Sequence, residues 1–196
     1  LQAAAHAHGI DRVVVSTDDS EIALFSRSEG IEVLMRPPHL ADDHSSTHSV
    51  LIHHVNQLQD EGYTFDAVMT LQPTSPLRSS RDIDESIALF RSHPAADSLV
   101  SCVSVPNIFH PYSMMLLSED GSLQHFVHSH PTRRQDKPNV VARNGAAIYL
   151  TRMPRIFEYI LGGHIIPYMM SHETSVDIDT AFDMHVAESY LSVIHD

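Results

Sequence analysis

Several residue types that mark particular protein classes are nearly absent from this sequence. It has no tryptophan, Cys102 is its single cysteine, and Lys137 is its only lysine. One cysteine cannot form a disulfide within the chain, which predicts a protein of the reducing cytoplasm rather than a disulfide-stabilised secreted one. No apolar run approaches the roughly 18 residues of a membrane helix, so no membrane span is predicted.

Positive charge is also scarce. The chain has 12 Lys+Arg against 25 Asp+Glu, and its formal net charge is −13. This balance argues against nucleic acid or an anionic membrane as the main partner, although a small anion could bind where arginines or a metal gather. The 16 histidines form no HExxH motif or other zinc signature, so surface positions are the simpler interpretation for them.

What the sequence does contain is an alternation of apolar β-branched runs with helical patterns. Strands are predicted at 12–16, 31–35 and 66–71, and intervening helices at 20–29 and 45–59. This order is typical of an α/β fold with a mostly parallel sheet and helices on its faces, and the 196 residues fit one domain, 1–196. A further helix is predicted near 151–160.

The segment "LQPTSPLR" at 71–78 directly follows the predicted strand at 66–71 and precedes a helix that Ser79 or Ser80 would cap. Open α/β sheets bind ligands in the crevice beyond the carboxyl ends of their strands. The segment is therefore either a ligand-binding loop or a plain turn bounded by Pro73 and Pro76, and its position alone is compatible with both.

The alternation lapses between 106 and 140, where "SEDG" has the composition of a hairpin turn between short strands. We interpret 106–140 as an insertion in the domain. Apolar strands that protrude from a compact domain would be poorly covered unless a second subunit packs on them, which predicts a homodimer.

Two carboxylates near the end of the chain are candidates for metal binding. Asp177 and Asp179 lie two residues apart in "SVDIDTAFD", so in an extended segment both side chains would point the same way. Mg²⁺ is typically held by one or two carboxylates together with phosphate oxygens and water. The alternative is structural, with Asp177 capping a turn and Asp179 or Thr180 capping the last helix.

Five motifs in order resemble the acylneuraminate cytidylyltransferases, the CMP-sialic acid synthetases, over nearly the whole chain. They are "DRVVVSTDDSEIA", "RPPHLADDHSST", "LQPTSPLR", "RRQDKP" with "RNGAAIYL", and "SHETSVDIDTAFDMHVAE". The resemblance implies a Rossmann-like nucleotidyltransferase fold, usually homodimeric. The resemblance begins after the first strand and the phosphate-binding loop that normally open a member of this family. Leu1 is therefore expected in the helix that follows that loop.

The resemblance also implies a reaction. Such an enzyme joins CTP and an acidic nine-carbon 2-keto sugar into a CMP-sugar and pyrophosphate, with Mg²⁺ as cofactor. N-acetylneuraminate is the leading sugar, legionaminic and pseudaminic acid are alternatives, and a 3-deoxy-octulosonate is a more distant one. A second class of function stays open, a non-catalytic remnant that dimerises and at most binds nucleotide.

By similarity, individual residues receive roles in this reaction. Arg36 and Thr47 would contact the nucleotide, and Asp18 would lie beside them at the end of a neighbouring strand. Asp177 and Asp179 would hold the Mg²⁺.

The sugar would be bound by a second set of residues. Gln72 would hydrogen-bond it from the "LQPTSPLR" loop, and Arg134 and Tyr149 would complete that subsite. Arg134 would reach the sugar carboxylate or cross from a partner subunit, whereas Arg78 is expected to be structural.

Overall fold

The structure is a computed structural model that describes residues 1–42, 45–128, 133–145 and 147–194. For residues 134, 193 and 194 it describes the backbone alone. Within these ranges no helix is both long enough and apolar enough to cross a membrane.

Helices and strands alternate along most of the chain. The α-helices are α1 (Gln2–Ala5), α2 (Ser20–Ser28), α3 (Thr47–Asp60), α4 (Ser80–Ser92) and α5 (Ala181–Ile194). The strands are β1 (Val14–Thr17), β2 (Glu32–Met35), β3 (Ala67–Thr70), β4 (Ser98–Ser104), β5 (Met115–Leu117), β6 (Leu123–His125), β7 (Val141–Arg143), β8 (Tyr149–Arg152) and β9 (Ile165–Met169).

The helices begin where the sequence places capping residues. Ser46 caps α3 by accepting a hydrogen bond from the Ser49 backbone N–H. Ser79, rather than Ser80, caps α4 in a capping box with Asp82, in which each side chain accepts from the other residue's backbone N–H. These local bonds satisfy donors that the first helical turn leaves without partners.

The predicted helix near 151–160 is wrong. Residues up to Arg152 belong to β8, and only a short 3₁₀ turn, Arg155–Phe157, follows. The physical reason is that β8 pairs with both β3 and β4, so its backbone groups are already used in the sheet.

Strand pairing is more mixed than the alternation predicted. β4 is central to the larger sheet and pairs in parallel with β9 on one edge. Its other edge pairs antiparallel with β8 and β7, and β3 pairs antiparallel with β8. β1 and β2 form a separate parallel pair. Because β7 and β8 both run antiparallel to β4, they follow each other in the same direction along one edge of it.

The connection between β7 and β8 is a wide bulge. β7 pairs with β4 up to Cys102 and β8 pairs with it from Val100, so residues 144–148 lie opposite Ser101 alone. The Ser101 hydroxyl accepts a hydrogen bond from the Ile148 backbone N–H at 2.9 Å, which holds one end of the bulge. Three of the described residues of this bulge, Asn144, Ala147 and Ile148, are buried, so the bulge packs into the domain.

A buried core lies between α4 and the larger sheet. Its fully buried side chains include Ile83 from α4, Leu99 from β4 and Ile148 from the bulge. Ala4 and Ala7 from the start of the chain pack on the same cluster. This packing fixes α4, and with it the segment 71–78 that leads into α4, against the sheet.

The predicted hairpin in 106–140 is present. β5 and β6 pair antiparallel around "SEDG", where Gly121 has a φ of +81°. The side chains of this arm are strongly exposed, with Leu117 at 75% and Ile108 at 73% relative exposure. Buried His110 joins the two ends of this segment, because its Nε2 lies 3.1 Å from the Pro138 carbonyl oxygen.

Candidate functional site

Three loops meet beside the larger sheet: 71–78 after β3, the bulge 144–148, and 176–180 before α5. The Ile178 backbone N–H donates to the Thr74 carbonyl at 2.8 Å, which joins the first loop to the third. Arg78 Nη1 donates to the Ala147 carbonyl at 2.5 Å, which joins the first loop to the bulge. The chain thus brings together segments that are about seventy to one hundred residues apart.

Gly145 allows the third loop to approach the bulge. Its φ is +68°, in the region that side-chain-bearing residues rarely adopt. A Cβ at this position would overlap the Asp177 carboxylate, at a separation that real Cβ atoms do not show. The Asp177 side chain therefore lies directly against the backbone of Gly145, and only glycine leaves room for it.

Buried polar atoms without a hydrogen-bond partner concentrate at these loops. Among the described residues, the buried side-chain atoms that lack a partner are Ser75 Oγ, Arg78 Nε, Asn144 Oδ1, Asp177 Oδ1, Arg36 Nε and His54 Nδ1. The first four belong to the three loops. Because buried polar groups are normally satisfied, such a concentration indicates a place where a ligand or water completes the bonding.

The two predicted metal-binding residues lie on the third loop in different surroundings. Asp177 is half-buried and its Oδ1 has no partner, whereas Asp179 is exposed and its carboxylate bonds to no other described residue. Asp179 is not the cap of α5. That role belongs to Thr180, whose hydroxyl accepts from the Asp183 backbone N–H while the Asp183 carboxylate accepts from the Thr180 backbone N–H. Neither candidate carboxylate therefore caps a helix or forms an ion pair among the described residues.

This donor set fits a hard cation. A partly buried carboxylate oxygen without a partner, beside an exposed second carboxylate, matches the way Mg²⁺ binds through few protein oxygens and completes its shell with phosphate and water. No group of three or more His, Cys, Asp or Glu side chains suited to a metal is present in the described ranges, so an all-protein cage has no support there.

Of the predicted sugar-binding residues, Tyr149 begins β8, and Gln72 lies just beyond the end of the neighbouring strand β3. Tyr149 pairs with Thr70 across β3 and β8, and Gln72 follows two residues after Thr70. Neither the Gln72 amide nor the Tyr149 hydroxyl bonds to another described side chain or backbone group, so both remain available. The side chain of Arg134 lies outside the described part of the chain, and its predicted role is untested.

Two of the three predicted nucleotide-binding residues are in contact. Arg36 follows β2 and Asp18 follows β1, and Arg36 Nη2 lies 2.6 Å from Asp18 Oδ1. Thr47 is the exposed first residue of α3 and makes no described contact with this pair, and the cap of α3 is Ser46 rather than Thr47. The structure therefore joins Arg36 to Asp18 and leaves the relation of Thr47 to them a prediction.

Comparison with known proteins agrees with this arrangement. A family model described as cytidylyltransferase matches residues 1–188. The chain belongs to the cytidylyltransferase family.

Curated relatives of this cytidylyltransferase family member include N-acylneuraminate cytidylyltransferases. That of Escherichia coli O18:K1:H7 is 25% identical over 95% of the chain, and that of Streptococcus agalactiae serotype V is 30% identical over 89%. The alignments span 43% and 41% of those two proteins, so the chain covers less than half of their length. The Campylobacter coli post-translational flagellin modification protein B is 29% identical over 90% of the chain and 75% of its own length.

A solved structure confirms the fold. The chain superposes with a TM-score of 0.70 on CMP:2-keto-3-deoxy-manno-octonic acid synthetase complexed with CTP, over 97% of this chain and 85% of that one. The sequences are only 16% identical, so this likeness establishes the Rossmann-like nucleotidyltransferase architecture and no substrate. The predicted α/β class and the resemblance to acylneuraminate cytidylyltransferases are both confirmed.

Sequence reasoning missed one residue of this family member's candidate site. Asn144 is 5% exposed, its Nδ2 donates to Ser175 Oγ at 2.8 Å, and it therefore holds the third loop near the bulge. The "RNG" motif contained the signal, because an asparagine before a glycine often marks an unusual backbone turn. Arg78 was expected to be structural; it hydrogen-bonds the Ala147 carbonyl, a partner that its neighbours in sequence do not indicate.

A buried histidine lies on the nucleotide side of the fold. His54 Nε2 is 2.7 Å from Ser16 Oγ, which ties α3 to β1. Burial, followed by the nearby charges of His53 and Arg36, lowers the pKa of His54, so the ring is held neutral. It is best understood as a packing contact, and neither residue was predicted to bind a ligand.

Proposed function

We propose that this chain carries the catalytic region of a cytidylyltransferase that transfers CMP from CTP to an acidic nine-carbon 2-keto sugar, releasing pyrophosphate. N-acetylneuraminate is the first candidate, because several relatives are N-acylneuraminate cytidylyltransferases. Legionaminic and pseudaminic acid stay as alternatives from the family resemblance, and the relatives include a flagellin modification protein whose name specifies no sugar. The reducing cytoplasm is the expected compartment.

One observation carries this proposal beyond family membership. A backbone hydrogen bond joins the loop that contains Gln72 to the loop that contains Asp177, Tyr149 pairs with the last residue of β3, and buried polar atoms that lack partners lie in these loops. A site of this kind has acceptors for a cation and neutral groups for sugar hydroxyls. It lies beyond the carboxyl end of β3, where α/β folds bind ligands.

The reaction requires one bond to form and one to break. The anomeric hydroxyl oxygen of the sugar attacks the α-phosphorus of CTP, the bond from that phosphorus to the bridging oxygen breaks, and pyrophosphate leaves with the electron pair while the hydroxyl proton passes to solvent or base. Gln72 and Tyr149 would orient the sugar, and Arg134 would meet its carboxylate. Arg36 would bring positive charge to the nucleotide, with Thr47 beside it.

Asp177 and Asp179 are the residues that would hold Mg²⁺. When bound, the ion would offset negative charge on the phosphoryl oxygens and favour the alkoxide form of the attacking hydroxyl. The protein's own contribution is to keep Asp177 fixed against Gly145, so that one carboxylate oxygen faces a constant direction. Positioning of this kind accounts for much of the catalysis of phosphoryl transfer.

The test is pyrophosphate release from CTP and Mg²⁺ in parallel reactions with N-acetylneuraminate, legionaminate, pseudaminate and 3-deoxy-octulosonate. We expect release with one of the nine-carbon acids and formation of its CMP-sugar by mass spectrometry. Binding of CTP and sugar without any release, from a folded protein, would contradict transfer and favour a binding protein. Release with the eight-carbon acid alone would refute the sugar class.

We also propose that the arm formed by 106–140 mediates a homodimer, because its exposed apolar side chains need a cover. Leu117→Asp should convert the dimer to a monomer in light scattering at micromolar concentration. Leu24→Asp is a matched control, since Leu24 is 66% exposed on α2, outside the arm, and should leave the dimer intact. A wild-type monomer at that concentration would refute the proposal.

A further inference from the structure

Arg78 joins two of the three loops through its guanidinium. Its Nη1 donates to the Ala147 carbonyl at 2.5 Å and also to the Gln72 carbonyl at 3.4 Å. Gln72 is the candidate sugar-binding residue, and Ala147 leads through Ile148 to Tyr149. The guanidinium therefore fixes the backbone on both sides of the candidate sugar subsite.

The charge of Arg78 has no carboxylate partner among the described residues. The described arginines that do have one are Arg12, Arg36, Arg81, Arg133 and Arg155. Arg78 instead has two neutral carbonyls, and its buried Nε has no acceptor at all. In a chain with 25 Asp+Glu against 12 Lys+Arg, a half-buried cation without a carboxylate partner is unexpected.

Burial without a counter-ion is unfavourable for a guanidinium. Removal from water lowers the pKa of Arg78, and the charge of Asp82 opposes this only as a lesser effect. Asp82 itself is held by the backbone N–H and hydroxyl of Ser79 at the start of α4. A half-buried charge without a carboxylate partner is less stable than a paired one, so a negative group from outside the protein would stabilise it.

We infer that Arg78 is a positioning residue of the sugar subsite that also supplies the fixed positive charge by which this subsite attracts an anionic ligand. The inference rests on the proposed function for the identity of the ligand, an acidic sugar. The negative charge of the ligand does not depend on that proposal. Arg78 acts through Gln72 and Ala147 on geometry and through its unneutralised charge on affinity. A structural role alone would involve the first effect only.

Arg152 provides a matched control. It is also half-buried, it donates to a backbone carbonyl, that of Ala96, at 3.1 Å, and it makes no carboxylate pair among the described residues. Its guanidinium stacks on the Phe90 ring at 4.6 Å, which stabilises the cation, and it lies at the far end of β8 from Tyr149. Replacement of Arg152 removes comparable packing while it leaves the charge of the sugar subsite unchanged.

The first experiment needs no knowledge of the substrate. Thermal unfolding is followed at rising low-millimolar sodium sulfate, with sodium chloride adjusted to keep the ionic strength constant. Wild-type protein and Arg152→Met should be stabilised by sulfate, and Arg78→Met should not, whereas Arg78→Lys should keep most of the response because it keeps the charge. An equal response in wild type and both Arg78 variants would overturn the inference.

The second experiment compares the dissociation constants of N-acetylneuraminate and its uncharged methyl ester. The preference of wild type for the acid should fall by about fivefold in Arg78→Met, be mostly retained in Arg78→Lys and be unchanged in Arg152→Met. A purely structural arginine would weaken acid and ester equally, and that result would refute the inference even in an active enzyme. If wild type responds to sulfate but binds no sugar and releases no pyrophosphate, the proposed function fails and the charge of Arg78 is still supported.

Discussion

The candidate site has two ends, and they differ in whether their charged side chains are already paired with each other. At the nucleotide end, beside β1 and β2, Arg36 and Asp18 already neutralise each other in a partly exposed ion pair. At the loop end, Arg78 and Asp177 form no ion pair among the described residues, and each has a buried polar atom without a hydrogen-bond partner, as Arg36 Nε also does at the nucleotide end. An exposed ion pair contributes little stability, so phosphate can replace the Asp18 carboxylate at small cost, whereas the loop end gains new bonds when a ligand arrives.

The largest effect is expected at the loop end, from loss of a carboxylate that we propose to hold Mg²⁺. Asp179→Asn should lower kcat by about a hundredfold or more while the melting temperature stays unchanged, because the exposed side chain has no structural contact. Pyrophosphate release at saturating Mg²⁺ measures this, together with a thermal scan.

Asp183→Asn is the control for that variant, since it lies on the same turn and forms the capping box of α5 with Thr180. It should destabilise the fold by about 1 kcal/mol and spare most of the activity. Near-normal turnover of Asp179→Asn would contradict the proposal that Asp179 holds Mg²⁺. It would also contradict the contrast between the two ends.

The next effect tests how the loop end is assembled. Gly145→Ala places a methyl group where the Asp177 carboxylate lies, so we expect about 2 kcal/mol of destabilisation together with about a tenfold loss of activity. Urea unfolding and initial rates measure the two losses.

Gly30→Ala separates the clash from the backbone conformation. Gly30 has a similar φ of +75°, but nothing lies within 4 Å of the added Cβ. It should therefore show only the conformational cost, about 1 kcal/mol, with normal activity. Equal losses in the two variants would mean that the contact with Asp177 has no consequence.

The smallest effects are expected at the nucleotide end. Arg36→Met should raise the KM for CTP by about fivefold, and Asp18→Asn should lower it by about twofold, because the second change frees the guanidinium for phosphate. Stability should hardly change in either. If Asp18→Asn instead raises the KM as much as Arg36→Met does, Asp18 contacts the nucleotide itself and the two ends are more alike than we infer.

Local features of the fold were predictable from neighbouring residues. Serines before α3 and α4, the "SEDG" turn and the apolar β-branched runs each act over a few positions, and the structure has them close to where they were predicted. The helix near 151–160 failed because β3 and β4 recruit the backbone of β8, which no neighbouring residue signals. The role of Asn144 was not predicted for a similar reason, because its hydrogen-bond partner Ser175 is distant in sequence.

The sequence by itself determined the fold class, the helix starts, the arm and the acidic pair at 177 and 179, together with a family resemblance strong enough to assign candidate residues. Only the tertiary structure decided which of them meet: Asp18 with Arg36, Asp177 with Gly145, and Arg78 with Ala147. The reason is that capping and turn formation depend on groups a few residues apart. Burial, charge pairing and unsatisfied hydrogen bonds depend on which distant segments the folded chain brings into contact.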